Sequence, residues 1–195
     1  MATAPRSTTG HHRAWGLAMA LVLAGCSSAG PSPTAPTCDQ VCQDGVAVRA
    51  LREMIKLAYN LTLQGKPVGP KQASSPCPEG GSVSVAGEAS SNADQGTTTV
   101  DLTYTFDACV YRQIDSDAAQ NYLMTVQGVI REQGILAVQP STTSAVSFES
   151  EQVTLTGEVY SPSIPYDAPQ CPLDLNQNGN RLAGTICDRA ASVDF

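Results

Sequence analysis

Two pairs of acids are the first residues whose spacing suggests chemistry. Asp115-Ser116-Asp117 and Glu149-Ser150-Glu151 each set carboxylates two residues apart. In a cleft, two carboxylates can divide the acid and base roles of a hydrolase. Glu149 and Glu151 should share the wet face of a strand, because Val146 and Phe148 occupy the other phase. No nucleophile motif, oxyanion signature or cofactor fingerprint accompanies either pair, so no catalytic residue, cofactor or enzymatic activity is expected. A carboxylate-based hydrolase is the least favoured reading.

Asp174, Asn176 and Asn178, followed by Gly179, resemble the first half of an EF-hand or dockerin calcium loop. Oxygen ligands at positions one, three and five, then a glycine, suit calcium's need for a tight oxygen cage. The likeness stops there. Position twelve is Thr185 where a bidentate carboxylate is needed, and Asp174 is the loop's sole acid. A polar hairpin turn at Asn178-Gly179 is the simpler reading.

The seven cysteines come next. Arg6 and Arg13 give a basic start, Trp15 to Leu23 is a short apolar run, and Leu23-Ala24-Gly25-Cys26 follows. A run this short behind a basic start reads as a signal peptide, not a membrane span. Its ending resembles a bacterial lipobox. The resemblance implies cleavage before Cys26, a diacylglyceryl group on the sulfur and a further acyl chain, such as palmitate, on the freed amine. Two or three chains hold a protein firmly to a bilayer. Ser27, where an Asp would mark inner-membrane retention, resembles the outer-membrane class. The expected localisation is therefore the outer membrane, with the protein lipid-anchored.

Removing residues 1–25 takes away His11, His12 and Trp15, the chain's complete stock of histidine and tryptophan. Nine Lys/Arg then face eighteen Asp/Glu, a formal charge of −9. An acidic surface argues against nucleic acid. Without histidine, a Ser-His-Asp or Cys-His mechanism and a His-ligated metal are excluded.

Residues 26–37 read as the lipidated cysteine and a Pro/Ser-rich tether spanning about 30 Å. Residues 38–195 read as one domain. Thr37-Cys38-Asp39-Gln40 has capping-box form. A helix then runs to about Leu63, with Ala47, Leu51, Met54, Ala58 and Leu61 in one apolar stripe. The prolines of residues 66–81 predict an irregular connection.

Beyond it the chain alternates with period two. Val83-Ser84-Val85-Ala86-Gly87 returns as Val126-Gln127-Gly128, as Val153-Thr154-Leu155-Thr156-Gly157 and as Leu182-Ala183-Gly184. Each glycine sits on the apolar phase, which predicts a bend or a close backbone approach. Strands are expected near 82–89, 97–106, 122–132, 145–150 and 152–160, with a last hairpin about Asn178-Gly179. Loops are expected at 111–120 and 161–172, the latter carrying four prolines. The sum is an α+β fold: an amino-terminal amphipathic helix packed on a curved, mostly antiparallel sheet of five to seven strands, tied by disulfides.

Setting Cys26 aside leaves six cysteines, which allow fifteen pairings. Cys77 and Cys109 flank the first hairpin and Cys171 and Cys187 the last, so those pairs are preferred, with Cys38–Cys42 left over. Pairing Val83 with Tyr104 puts Cys77 opposite Val110, a mismatch that a bulge near Pro78 or Ala108 resolves.

Cys77-Pro78-Glu79-Gly80-Gly81-Ser82-Val83-Ser84-Val85-Ala86-Gly87, with Leu102-Thr103-Tyr104-Thr105-Phe106-Asp107-Ala108-Cys109, resembles a pattern in uncharacterised bacterial lipoproteins. The resemblance implies a twisted antiparallel sheet and no particular activity. The expected role is a noncatalytic outer-membrane lipoprotein, a binding or structural subunit of the envelope with a protein partner there. The alternative is a periplasmic inhibitor or ligand-binding module.

Overall fold

A computed structural model describes residues 38–65, 69–114, 120–137, 143–159 and 163–195. The signal peptide, Cys26, the tether and the Asp115/Asp117 pair lie outside the described residues.

The expected α+β arrangement, an amino-terminal helix on five to seven strands, does not hold. Most of the described chain is one antiparallel sheet of eight strands. The helix α1 spans Gln40–Thr62 and is not at the amino terminus of the chain. The strands are β1 Gly69–Pro76, β2 Ser82–Asn92, β3 Thr97–Gln113, β4 Tyr122–Ala137, β5 Ala145–Val159, β6 Ile164–Asn178, β7 Arg181–Ile186 and β8 Arg189–Asp194. They pair in chain order, each with its predecessor.

Proline explains the undercount. β1 carries Pro70 and Pro76 but is an edge strand, with β2 as its sole partner. β6 carries Pro165, Pro169 and Pro172, all before Leu173, where pairing with β7 begins. Up to that point the strand that β6 pairs with in the sheet is β5. Proline lacks an amide hydrogen and is tolerated where one side of a strand has no partner. The expected strand end near 132 and the break at 151 are also absent, since β4 continues to Ala137 and β5 continues through 151 with a bulge.

The helix is capped by Asp39, not by Thr37: the Asp39 carboxylate accepts from the Cys42 amide at 3.0 Å. Cys38 precedes the cap and Cys42 lies in the first turn, so their disulfide spans the helix start and spares its interior. The other disulfides are Cys77–Cys109 and Cys171–Cys187. The β2–β3 register pairs Val83 with Phe106 and Val85 with Tyr104, two residues from the expected match, and so keeps the same faces together. A bulge between Phe106 and Cys109 offsets β3 against β4, with Ala108 at φ +46°.

The buried side of α1 exceeds the stripe read from the sequence. Val46, Val48, Ala50 and Ile55 are buried together with Ala47, Leu51, Met54 and Ala58, while Leu61 is half exposed. The reason is the sheet, which reaches α1 with both of its edges, β1 and β8. Its inner face supplies Val85, Leu102, Tyr104, Met124, Val126, Leu155, Leu175 and Leu182, all fully buried. Bulges between Gly128 and Arg131 and between Ser150 and Leu155 add local twist to the bend.

Asp44 locks the helix to the far end of the sheet. Its Oδ1 accepts from Gln40, from the Tyr166 hydroxyl at 2.8 Å and from Arg189 Nη2 at 2.8 Å, while Oδ2 accepts from Arg189 Nε at 2.7 Å. Burial pushes this carboxyl up, but the donors from Arg189, Tyr166 and Gln40 outweigh it and hold it below the ordinary value. At the chain end, Arg49 donates to the Asp194 carbonyl at 2.8 Å, and the Arg52 guanidinium lies 4.4 Å from the centre of the Phe195 ring.

The recurring glycines have their explanation in close backbone approaches inside the sheet. A Cβ on Gly157 (φ +153°) would lie 2.0 Å from the Leu123 carbonyl oxygen of β4. One on Gly184 (φ +151°) would lie 2.0 Å from the Asp174 oxygen of β6. No side chain fits such an approach, and the backbone angle is itself strained for any other residue. Gly157→Val is therefore expected to cost on the order of 3 kcal/mol or more. Gly157→Ala should cost nearly as much, because the Cβ alone meets the oxygen. Urea melts read both, and an unchanged midpoint in either variant would remove the close approach from the account.

Candidate functional site

A groove of about 370 Å³ lies between the second half of α1 and the inner face of the sheet. α1 contributes Arg52, Ile55, Lys56 and Tyr59; the sheet contributes Thr98, Glu132, Leu136, Phe148 and Gln177. Mixed apolar walls with a few convergent polar groups are the usual composition of a small-molecule site.

Glu132 is the unusual member. It follows Tyr122, Met124, Val126 and Ile130 on the inward phase of β4, so the strand carries a carboxyl into the core. The residue is 3% exposed. Its Oε2 accepts from the Tyr104 hydroxyl at 2.6 Å. Burial pushes its pKa up to about 7, against the hydrogen bond from Tyr104 and the charge of Arg52, both of which lower it. Tyr104 is raised well above the usual phenol value, first by burial and then by the Glu132 charge. Tyr59 is raised by burial, then by the same charge, with a Thr98 hydrogen bond working the other way. Both phenols therefore stay protonated while the carboxyl titrates near neutrality. A buried acid with a shifted pKa in a cleft is a recognised mark of a functional site.

Several other polar groups of the groove are already engaged. Thr98 and Ser91 share a hydrogen bond of 3.1 Å, and Gln177 Nε2 donates to the Gly179 carbonyl at 2.8 Å. Glu53 takes both of the cations that line the groove, Arg52 directly and Lys56 at 3.5 Å.

The residues singled out in the sequence lie elsewhere. Glu149 and Glu151 are both exposed on the outer face, where a shallow depression of about 710 Å³ is also lined by Thr103, Arg131 and Asp174. It is the larger hollow but the more open one, and its cation is bound outside it: Arg131 holds Asp101 through two hydrogen bonds of 3.1 and 3.0 Å. Cross-strand register sets Glu149 between Arg131 and Asp174. Asp174, Asn176 and Asn178 stand on β6 with their side chains on the exposed phase, and Asn176 donates to Asp174 at 3.3 Å. They project from one side of an extended strand, whereas a calcium loop folds its ligands round a centre. The tight turn beside them is Gly179-Asn180. No cluster of three or more His, Cys, Asp or Glu suited to a metal occurs among the described residues.

Glu132 escapes a reading that ends its strand at that residue, where an acid looks terminal and wet. The available signal is phase: position 132 falls in step with Tyr122, Met124, Val126 and Ile130.

The linkage sign is set by the raised pKa. Below the unfolded value of 4.5, Glu132 is protonated in both states. Between there and about 7 the unfolded chain ionises first, so stability falls as pH rises. The loss from this group is on the order of 3 kcal/mol. Glu132→Gln keeps an acceptor for Tyr104 and should remove that fall. Chemical denaturation from pH 4.5 to 8 measures it, and parallel curves for the two proteins would count against a buried protonated carboxyl.

The chain matches no protein-family model, no curated protein and no solved structure.

Proposed function

We propose that this chain is a noncatalytic lipoprotein of the outer membrane, held by acyl chains on Cys26 and serving the envelope as a binding or structural subunit. The observation that carries the reading is Leu23-Ala24-Gly25-Cys26 behind a short apolar run with a basic start. Two further features support it. Six of the seven cysteines are joined in three disulfides, which suits an exported protein and leaves Cys26 as the odd sulfur. The Pro/Ser-rich residues 27–37 then give the domain reach from the bilayer towards an envelope partner.

A second reading, the ligand-binding module, is favoured by one specific observation: the groove with Glu132 on its floor. The two readings are compatible, since an anchored protein can carry a ligand site.

Palmitate labelling in bacterial cells tests the anchor. The wild-type chain should take up label and partition into detergent, and Cys26→Ala should do neither while keeping its three disulfides. An unacylated native amino terminus, read by intact mass, would overturn the proposal.

A further inference from the structure

We propose that the groove between α1 and the sheet binds a small organic cation, a primary ammonium group carried on an apolar body. This rests on the ligand-binding reading and not on the lipid anchor.

The argument begins with unmet capacity. Glu132 is the one acid among the residues lining the groove. Its Oε2 is taken by Tyr104, and among the described residues no hydrogen bond reaches Oε1. Among the described residues every fully buried side-chain nitrogen or oxygen does have a partner. Oε1 is therefore not sealed in the core; it is the carboxylate atom that meets the groove. An ionised carboxylate accepts at both oxygens, so one acceptor remains open to an incoming donor.

Charge then selects the donor. An anion would look to Arg52 and Lys56, but Glu53 engages both, and Arg52 also covers the Phe195 ring. A cation meets a carboxylate with no opposing charge bound to it. The acidic chain, at −7 overall, favours the approach of a cation as well. Ile55, Leu136 and Phe148 provide the walls for an apolar body. A volume of about 370 Å³ sets the scale at a small molecule, not a peptide helix.

The titratable and charged groups that face Glu132 are Tyr104 from β3 and Tyr59 and Arg52 from α1; β5 and β6 offer Phe148 and Gln177. With the groove empty, Glu132 meets the cost of burial by holding a proton. Below about pH 7 a bound ammonium replaces that proton, so binding there releases up to one proton and tightens as pH rises through about 7.

Calorimetry on the purified full chain with three matched probes tests this: phenethylamine, phenethyl alcohol and phenylacetate. Phenethylamine is expected to bind about tenfold more tightly than the alcohol at pH 8. It should bind about thirtyfold more tightly at pH 8 than at pH 5.5, the change in ionised Glu132 for a group titrating near 7. Glu132→Gln should abolish both differences. Should that variant fail to fold, carbon NMR of the Glu132 carboxyl in the wild-type chain serves instead, and phenethylamine should lower its titration midpoint. Equal binding of amine and alcohol, or tighter binding of phenylacetate, would overturn the cation while leaving the groove a ligand site. Failure of all three probes to bind would overturn the inference and the ligand-binding reading together, with the anchor untouched.

Discussion

The sheet has to bend until both of its edges touch one helix. Eight strands joined in chain order make an open surface, and among the described residues α1 is the one helix that covers its apolar side. A helix buried over so much of its circumference cannot rest on a flat sheet. The bend explains why bulges interrupt β3, β4 and β5, and it accompanies the tight approach of neighbouring backbones at Gly157 and Gly184. Asp44 then fastens the start of the helix to β6 and β8 through Tyr166 and Arg189, closing the far side of the wrap.

Two buried acids on this framework have opposite fates. Asp44 is met by a bidentate guanidinium and two further donors, and it stays charged. Its contribution is present above the ordinary carboxylate value and is lost as pH falls through the lowered one. Glu132 has one phenol donor and the charge of Arg52 without a hydrogen bond from it, too little to offset the loss of water. Burial is common to both, and the number of donors decides between them. The satisfied acid holds the structure together. The under-satisfied one lines an open groove.

The parts of the fold that showed in the sequence are those where a single local rule operates. Alternation in Val100, Leu102, Tyr104 and Phe106 marks β3, and the glycines at 87, 128, 157 and 184 mark places where backbones crowd. What stayed hidden depended on neighbours. Pro70 and Pro76 argue against a strand unless its edge position is known, and Pro165, Pro169 and Pro172 do the same until β7 is seen to begin its pairing at Leu173. The cap lies at Asp39, two residues beyond the Thr37 expected from the sequence, because Asp39 also offers a suitable oxygen. The candidate site was least legible of all. Glu149, Glu151 and Asp174 have conspicuous spacing but lie on the solvated side, whereas Glu132 is a lone acid without a motif, and its phase along β4 is its one signal.

The prolines of β1 and of the first half of β6 bear on how copies of this protein behave towards one another. An uncovered sheet margin invites an additional strand from another molecule, the route to fibrils and swapped dimers. A row of donors with gaps at Pro70 and Pro76, or at Pro165 and Pro169, is a poor template for that growth. Crowded together in a confined space, such domains keep these two margins to themselves.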